Sequence, residues 1–63
     1  MKKVDLEKQL SKLGWRFSRH GGSHDIWTNR KINESVPRHR EINEYTAKKI
    51  LRTAQDNPSE EKQ

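Results

Sequence analysis

The stretch Arg19-His20-Gly21-Gly22-Ser23-His24-Asp25-Ile26-Trp27 decides how this chain folds. Glycine accepts the positive φ that tight turns demand, so His20-Gly21-Gly22-Ser23 is predicted to be the loop of a β-hairpin. The strand before it is read over Trp15–Arg19, where the period is two. Trp15, Phe17 and Arg19 share the face turned to the core; Arg16, Ser18 and His20 share the other. The strand after it runs from about His24 to Thr28, and its facing is the decisive choice. Burying Trp27 carries Asp25 inward, whereas burying Ile26 carries His24 and Thr28. An unpaired buried carboxylate is the costlier option. Ile26 is therefore expected inward, His24 at the rim of the core, and Trp27 outward. An outward Trp27 is either half-exposed sheet surface or a stacking or partner contact.

Upstream, Val4 to Leu13 reads as a helix, because Leu6, Leu10 and Leu13 form one apolar stripe at i, i+4 and i+7. Gly14 stands where a left-handed terminating residue is needed. Downstream, Asn29-Arg30 suits a short turn. Lys31 to Pro37 reads as a third strand with Ile32 and Val36 on one face, ended by a proline that lacks a ladder donor. Arg38-His39-Arg40 is a basic connector. A second helix is capped by Asn43 and runs to about Gln55, burying Ala47, Ile50, Leu51 and Ala54, with Lys48, Lys49 and Arg52 outward. Residues 1–55 are expected to form one domain. Residues 56–63, with Pro58 and no apolar side chain, are expected to be a disordered tail. The order is α-β-β-β-α. A three-stranded antiparallel sheet needs one face covered, so both helices lie on that face. This α+β architecture is the layout of the double-stranded-RNA-binding domain.

Sixty-three residues allow one domain with a small core. Its expected members are Leu6, Leu10, Leu13, Trp15, Phe17, Ile26, Val36, Ile50 and Leu51, few enough that the isolated domain is marginal and a protein partner would stabilise it. The absence of cysteine excludes disulfides and thiolate metal sites and is compatible with a reducing, cytoplasmic setting. No apolar run approaches membrane-spanning length, and no signal peptide is read before the first helix. A net charge of +5 and a pI of about 9.9 favour an anionic partner such as nucleic acid.

His20, His24 and His39 are the side chains that titrate near neutrality. Their spacing is a weak metal signal, and no metal or other cofactor is expected. Ser23 and His24 are read as strand neighbours on opposite faces, which argues against a serine nucleophile paired with that imidazole. An imidazole beside cationic side chains fits another task. RNA carries its own nucleophile, the 2′-hydroxyl. A histidine can take its proton or protonate the leaving 5′-oxygen, while arginines clamp the phosphate. The plain alternative is a rim histidine bonded to a backbone carbonyl.

Gly14-Trp15, then Arg19, then Gly22-Ser23-His24 followed by Ile26 and Trp27, resembles the signature of the HicA family, the toxins of HicA–HicB toxin–antitoxin pairs. Val36-Pro37-Arg38-His39 followed by Glu41-Ile42 is similar to the family's second signature. The resemblance spans about residues 3 to 55. It implies a type II toxin with a double-stranded-RNA-binding-like fold. It also implies messenger-RNA endonuclease activity independent of the ribosome, and inhibition by a HicB antitoxin in a hetero-oligomer, the free toxin being a monomer without membrane association. His24 matches the family's catalytic histidine. Arg38 and His39 then become phosphate ligands, with His39 a candidate second proton-transfer group. Arg16, Arg19, Ser23, Lys48 and Lys49 become further RNA contacts. The chain departs from the family in its short, glycine-free Asn29-Arg30 turn. It departs again at Glu44-Tyr45-Thr46, which stand where small residues are usual before the last helix. Two other functions fit the same residues: a non-catalytic RNA-binding module, and an adaptor whose helices dock a protein.

Overall fold

The computed structural model describes residues 1–59 and has the order α1 (Lys3–Lys12), β1 (Arg16–Gly21), β2 (His24–Thr28), β3 (Asn33–Pro37) and α2 (Glu44–Asp56). The three strands form one antiparallel sheet in the order β1-β2-β3. Both helices pack on one of its faces. Leu6 and Leu10 of α1 and Ala47, Ile50, Leu51 and Ala54 of α2 meet Trp27 and Val36 of the sheet, together with Trp15 and Ile42.

The ends of α1 follow from the sequence. Gly14 takes φ +86°, the Gly14 amide donates to Ser11 O and the Trp15 amide donates to Leu10 O, each at 3.0 Å. That is a Schellman terminus, with buried Trp15 and Leu10 making its apolar contact. At its start, Lys2 bridges Glu41, Lys3 N donates to Arg40 O at 2.8 Å and Ile42 N donates to Met1 O at 2.7 Å. This strap fixes α1 against the connector and buries Ile42, which patterning alone did not put in the core. At the start of α2, Asn43 Oδ1 accepts from Tyr45 N at 2.8 Å and Thr46 N at 3.4 Å. The cap is thus made despite the bulky residues that follow it.

The hairpin departs from expectation in three linked ways. Its turn is shorter: Gly22, at φ +60°, and Ser23 are the only residues between the strands, and Gly21 pairs with His24. A positive φ at the first of two turn residues is where a type II′ hairpin uses glycine. A bulge at Ser18 then shifts the register, so Phe17 pairs with Trp27 but Arg19 pairs with Ile26. Arg19 therefore leaves the face of Phe17. Last, β2 is turned over relative to the expected facing. Asp25 and Trp27 are buried among the helices, while His24, Ile26 and Thr28 lie on the helix-free face.

One expected core residue, Phe17, is exposed, and so is Ile32, which was expected to share the inward face of Val36. Phe17 remains 46% exposed because the helices do not reach over the edge strand β1, and Ile32 is 40% exposed because β3 begins only at Asn33. The turn between β2 and β3 is held by Asn29, whose Oδ1 accepts from the amides of Lys31 and Ile32, both at 2.8 Å. Arg30 takes φ +81° there without glycine. Beyond α2, the Asn57 carbonyl accepts from Trp15 Nε1 at 3.0 Å and Asn29 Nδ2 at 2.7 Å, and Ser59 N donates to Leu13 O at 3.0 Å. Asp56 belongs to α2 and residues 57–59 close over the end of α1, so this part of the expected tail is docked. Residues 60–63 lie outside the described residues.

Candidate active site

The hairpin presents two histidine centres, one on each face of the sheet. His24 opens β2 on the helix-free face and is exposed. Its partner across β1 is Gly21, which has no side chain to shield the imidazole, and across β3 is Pro37. Ser23 Oγ and His24 Nδ1 share a hydrogen bond of 3.1 Å. The expected separation of the two side chains fails because Ser23 belongs to the turn, where strand alternation does not apply. The contact commits Nδ1 and leaves Nε2 directed at solvent. When Nδ1–H donates to the serine, Nε2 is a free base; when the serine donates, Nε2 carries the proton.

The register places Arg19 and Arg16 on the face of His24, through their pairing with Ile26 and Thr28. Arg19 is the diagonal neighbour of His24, at about 7–8 Å between backbones, within reach of a long side chain. The other candidates lie elsewhere. Lys48 and Lys49 are exposed on α2, in the layer on the opposite side of the sheet. His39 is exposed on the connector, and Arg38 turns toward the helix side.

The second centre was not legible as a site. Asp25 is 5% exposed beneath the helices, and three basic side chains converge on it. His20 Nδ1 donates to Asp25 Oδ1 at 2.8 Å, Lys3 Nζ donates to Asp25 Oδ2 at 3.0 Å, and Arg38 Nε lies 3.5 Å from Oδ1. Lys3 also pairs with Glu7 one turn along α1. Burial pushes the Asp25 carboxyl up, but the hydrogen bonds and charges of His20 and Lys3 outweigh it and hold it below its ordinary value. Burial likewise works to lower the Lys3 ammonium, and Glu7 and Asp25 overcome it to raise the group. The penalty that argued against an inward Asp25 is thus met by partners from three other segments of the chain. Lys3 and Arg38 also line a groove of about 540 Å³ with Lys2, Val4, Glu7, Arg40 and Glu41.

His20 and His24 face opposite sides of the sheet and do not converge on one atom. Among the described residues no three His, Asp or Glu side chains are grouped to hold a metal ion, and no helix is long and apolar enough to cross a membrane.

Fold and basic surface together define a small α+β module with the layout of the double-stranded-RNA-binding domain, carrying an exposed histidine on its open sheet face. Residues 4–55 match the model of the HicA toxin of bacterial toxin–antitoxin systems, and the chain belongs to that family. Comparison with curated proteins and with solved structures gives no significant match. The protein is therefore the toxin of a toxin–antitoxin system, and an antitoxin partner follows from that membership.

Proposed function

We propose that residues 1–55 form a metal-independent endoribonuclease that cleaves messenger RNA in the cytoplasm and is neutralised by a HicB-type antitoxin. The observation that carries this reading is the state of His24: exposed, tethered through Nδ1 to Ser23, with Arg19 as its diagonal neighbour on the same face and Arg16 further along it. In the proposed step His24 Nε2 takes the proton of a ribose 2′-hydroxyl. The oxygen so freed attacks the adjacent phosphorus, and the bond to the 5′-oxygen breaks as that oxygen takes a proton from water. Arg19 stabilises the charge that builds on the phosphoryl oxygens, and Arg16, further along the same face, contacts a neighbouring phosphate. The products are a 2′,3′-cyclic phosphate and a 5′-hydroxyl.

The buried Asp25 cluster supports the site from behind, since it fixes the strand whose first residue is His24. Arg38, as the residue after Pro37, and His39 approach the same end of the sheet and are assigned secondary contacts to the RNA backbone. Lys48 and Lys49, on the helical layer, are assigned only long-range attraction. Cleavage of RNA by the purified toxin in the presence of a chelator, with analysis of the new ends, tests the mechanism. Undiminished cutting that leaves cyclic phosphate and 5′-hydroxyl ends is expected. Activity abolished by the chelator, or 5′-phosphate ends, contradicts it. Binding without any cleavage would instead mark the non-catalytic RNA-binding module.

A further inference from the structure

We propose that the ring of Phe17, propped edge-on by His20, forms a ledge on which an unpaired nucleobase of the RNA stacks, next to the nucleotide addressed by His24; this rests on the ribonuclease reading above. No residue of β1 is buried, because the helices end short of this edge strand. Phe17 is on the helix side, beside Trp27, yet 46% exposed where Trp27 is 7% exposed. Its ring is held from two directions. The Trp27 ring backs it edge-on with centroids 6.4 Å apart, and the His20 ring meets it edge-on at 5.0 Å. His20 is in turn held by the buried Asp25 carboxylate at 2.8 Å. An aromatic surface already fixed in this way loses little freedom when a base stacks on it.

The surroundings favour RNA over an apolar protein segment. Lys3 and Arg38, which converge with His20 on Asp25, also line the groove with Lys2 and Arg40 against Glu7 and Glu41, so basic side chains outnumber acidic ones there. A nucleotide stacked on the ledge directs its phosphates toward these cations, whereas an apolar partner would cover them without compensating charge. The strand edge also joins the two faces. A single strand crossing β1 beside Arg19 places one phosphate at His24 and an adjoining base on the ledge. A duplex, whose bases already stack on one another, cannot use it. Every base has a π-face, so the ledge predicts affinity for single strands with little sequence preference.

The test uses the His24→Ala toxin, which leaves RNA intact, and a short mixed-sequence oligoribonucleotide carrying a fluorophore. Phe17→Leu keeps bulk against Trp27 but removes the π-face, and Phe17→Trp keeps it. The leucine variant is expected to bind single-stranded RNA about tenfold more weakly, as for the loss of one stacked base. The tryptophan variant is expected to bind as tightly as the parent, and duplex RNA is expected to bind all three alike. Thermal melting of each variant verifies the fold. Equal single-strand affinity in Phe17→Leu overturns the ledge while leaving the role of His24 intact. So does a variant that loses only its antitoxin, since the face is then a protein surface. If the His24→Ala toxin and its parent both fail to bind or cut RNA, the ribonuclease reading falls and takes the ledge with it.

Discussion

Asp25 shows how one residue orients the whole site. A carboxylate taken from water is tolerated only when its lone pairs and charge are met, and here they are met by His20, Lys3 and Arg38. Asp25→Ala removes the group these three side chains share and leaves the largely buried Lys3 with Glu7 alone. A loss of about 3 kcal/mol is expected in chemical denaturation, a large fraction of a small domain's stability. The pH dependence follows from the direction of the shift. A carboxyl lowered on folding contributes fully above its unfolded value, 3.8 for Asp25, and loses that contribution as pH falls through the lower folded value. Glu34, raised by burial against the pull of Lys49, works in the opposite sense near its ordinary 4.5. The clean readout is the difference between parent and variant. The parent should lose stability below about pH 4 more steeply than Asp25→Ala, whose acid limb should be shallower. Parallel acid limbs would contradict the assignment.

The elements were legible where the cause is local. The leucine stripe, Gly14, the Asn43 cap and the alanine–isoleucine face of α2 are all short-range signals, and α1, α2 and their ends fall where those signals put them. The facing of β2 was not legible, for two physical reasons. A four-residue loop would pair Arg19 with His24, but the two-residue turn pairs His20 with Asp25 and creates the first partner of the carboxylate. The second, Lys3, comes from the far end of α1, beyond any local pattern. With those partners absent from the sequence reading, Ile26 was the cheaper residue to bury. The same inversion moved His24 from the core rim to the open face, so the residue singled out by motif stands in a more accessible place than its expected environment implied. Gly14 carries the sharpest prediction at this scale. A Cβ there would lie 2.7 Å from Ser59 Cβ, on a backbone at φ +86°. Gly14→Ala should cost about 1–2 kcal/mol from the left-handed conformation alone. It should also loosen the Asn57–Ser59 clasp, seen as faster hydrogen exchange of the Trp15 indole Nε1–H. An unchanged melting curve would contradict the role given to this terminus.

At the scale of the whole molecule, the chain carries a net charge of +5 and its sheet has one uncovered face. A chain this small buries few apolar side chains, and an antitoxin that binds only the folded toxin stabilises it by mass action. Charge also governs the encounter with RNA. Neutralising phosphates releases counterions, so affinity should fall linearly on a log–log plot against salt, with a slope of about −0.7 for each phosphate contacted on a single strand. A titration of the His24→Ala toxin with single-stranded RNA measures this. A flat response would mean that no phosphates are bound and would favour a protein-docking adaptor.

Everything proposed for catalysis passes through one nitrogen, Nε2 of His24. The decisive measurement is the single-turnover rate of RNA cleavage by His24→Ala beside the parent toxin, at equal saturation with RNA. The expected result is a rate lower by about 10²–10⁴-fold, with RNA affinity retained and the melting temperature unchanged. A variant that binds, folds and cuts at the parent rate would contradict it.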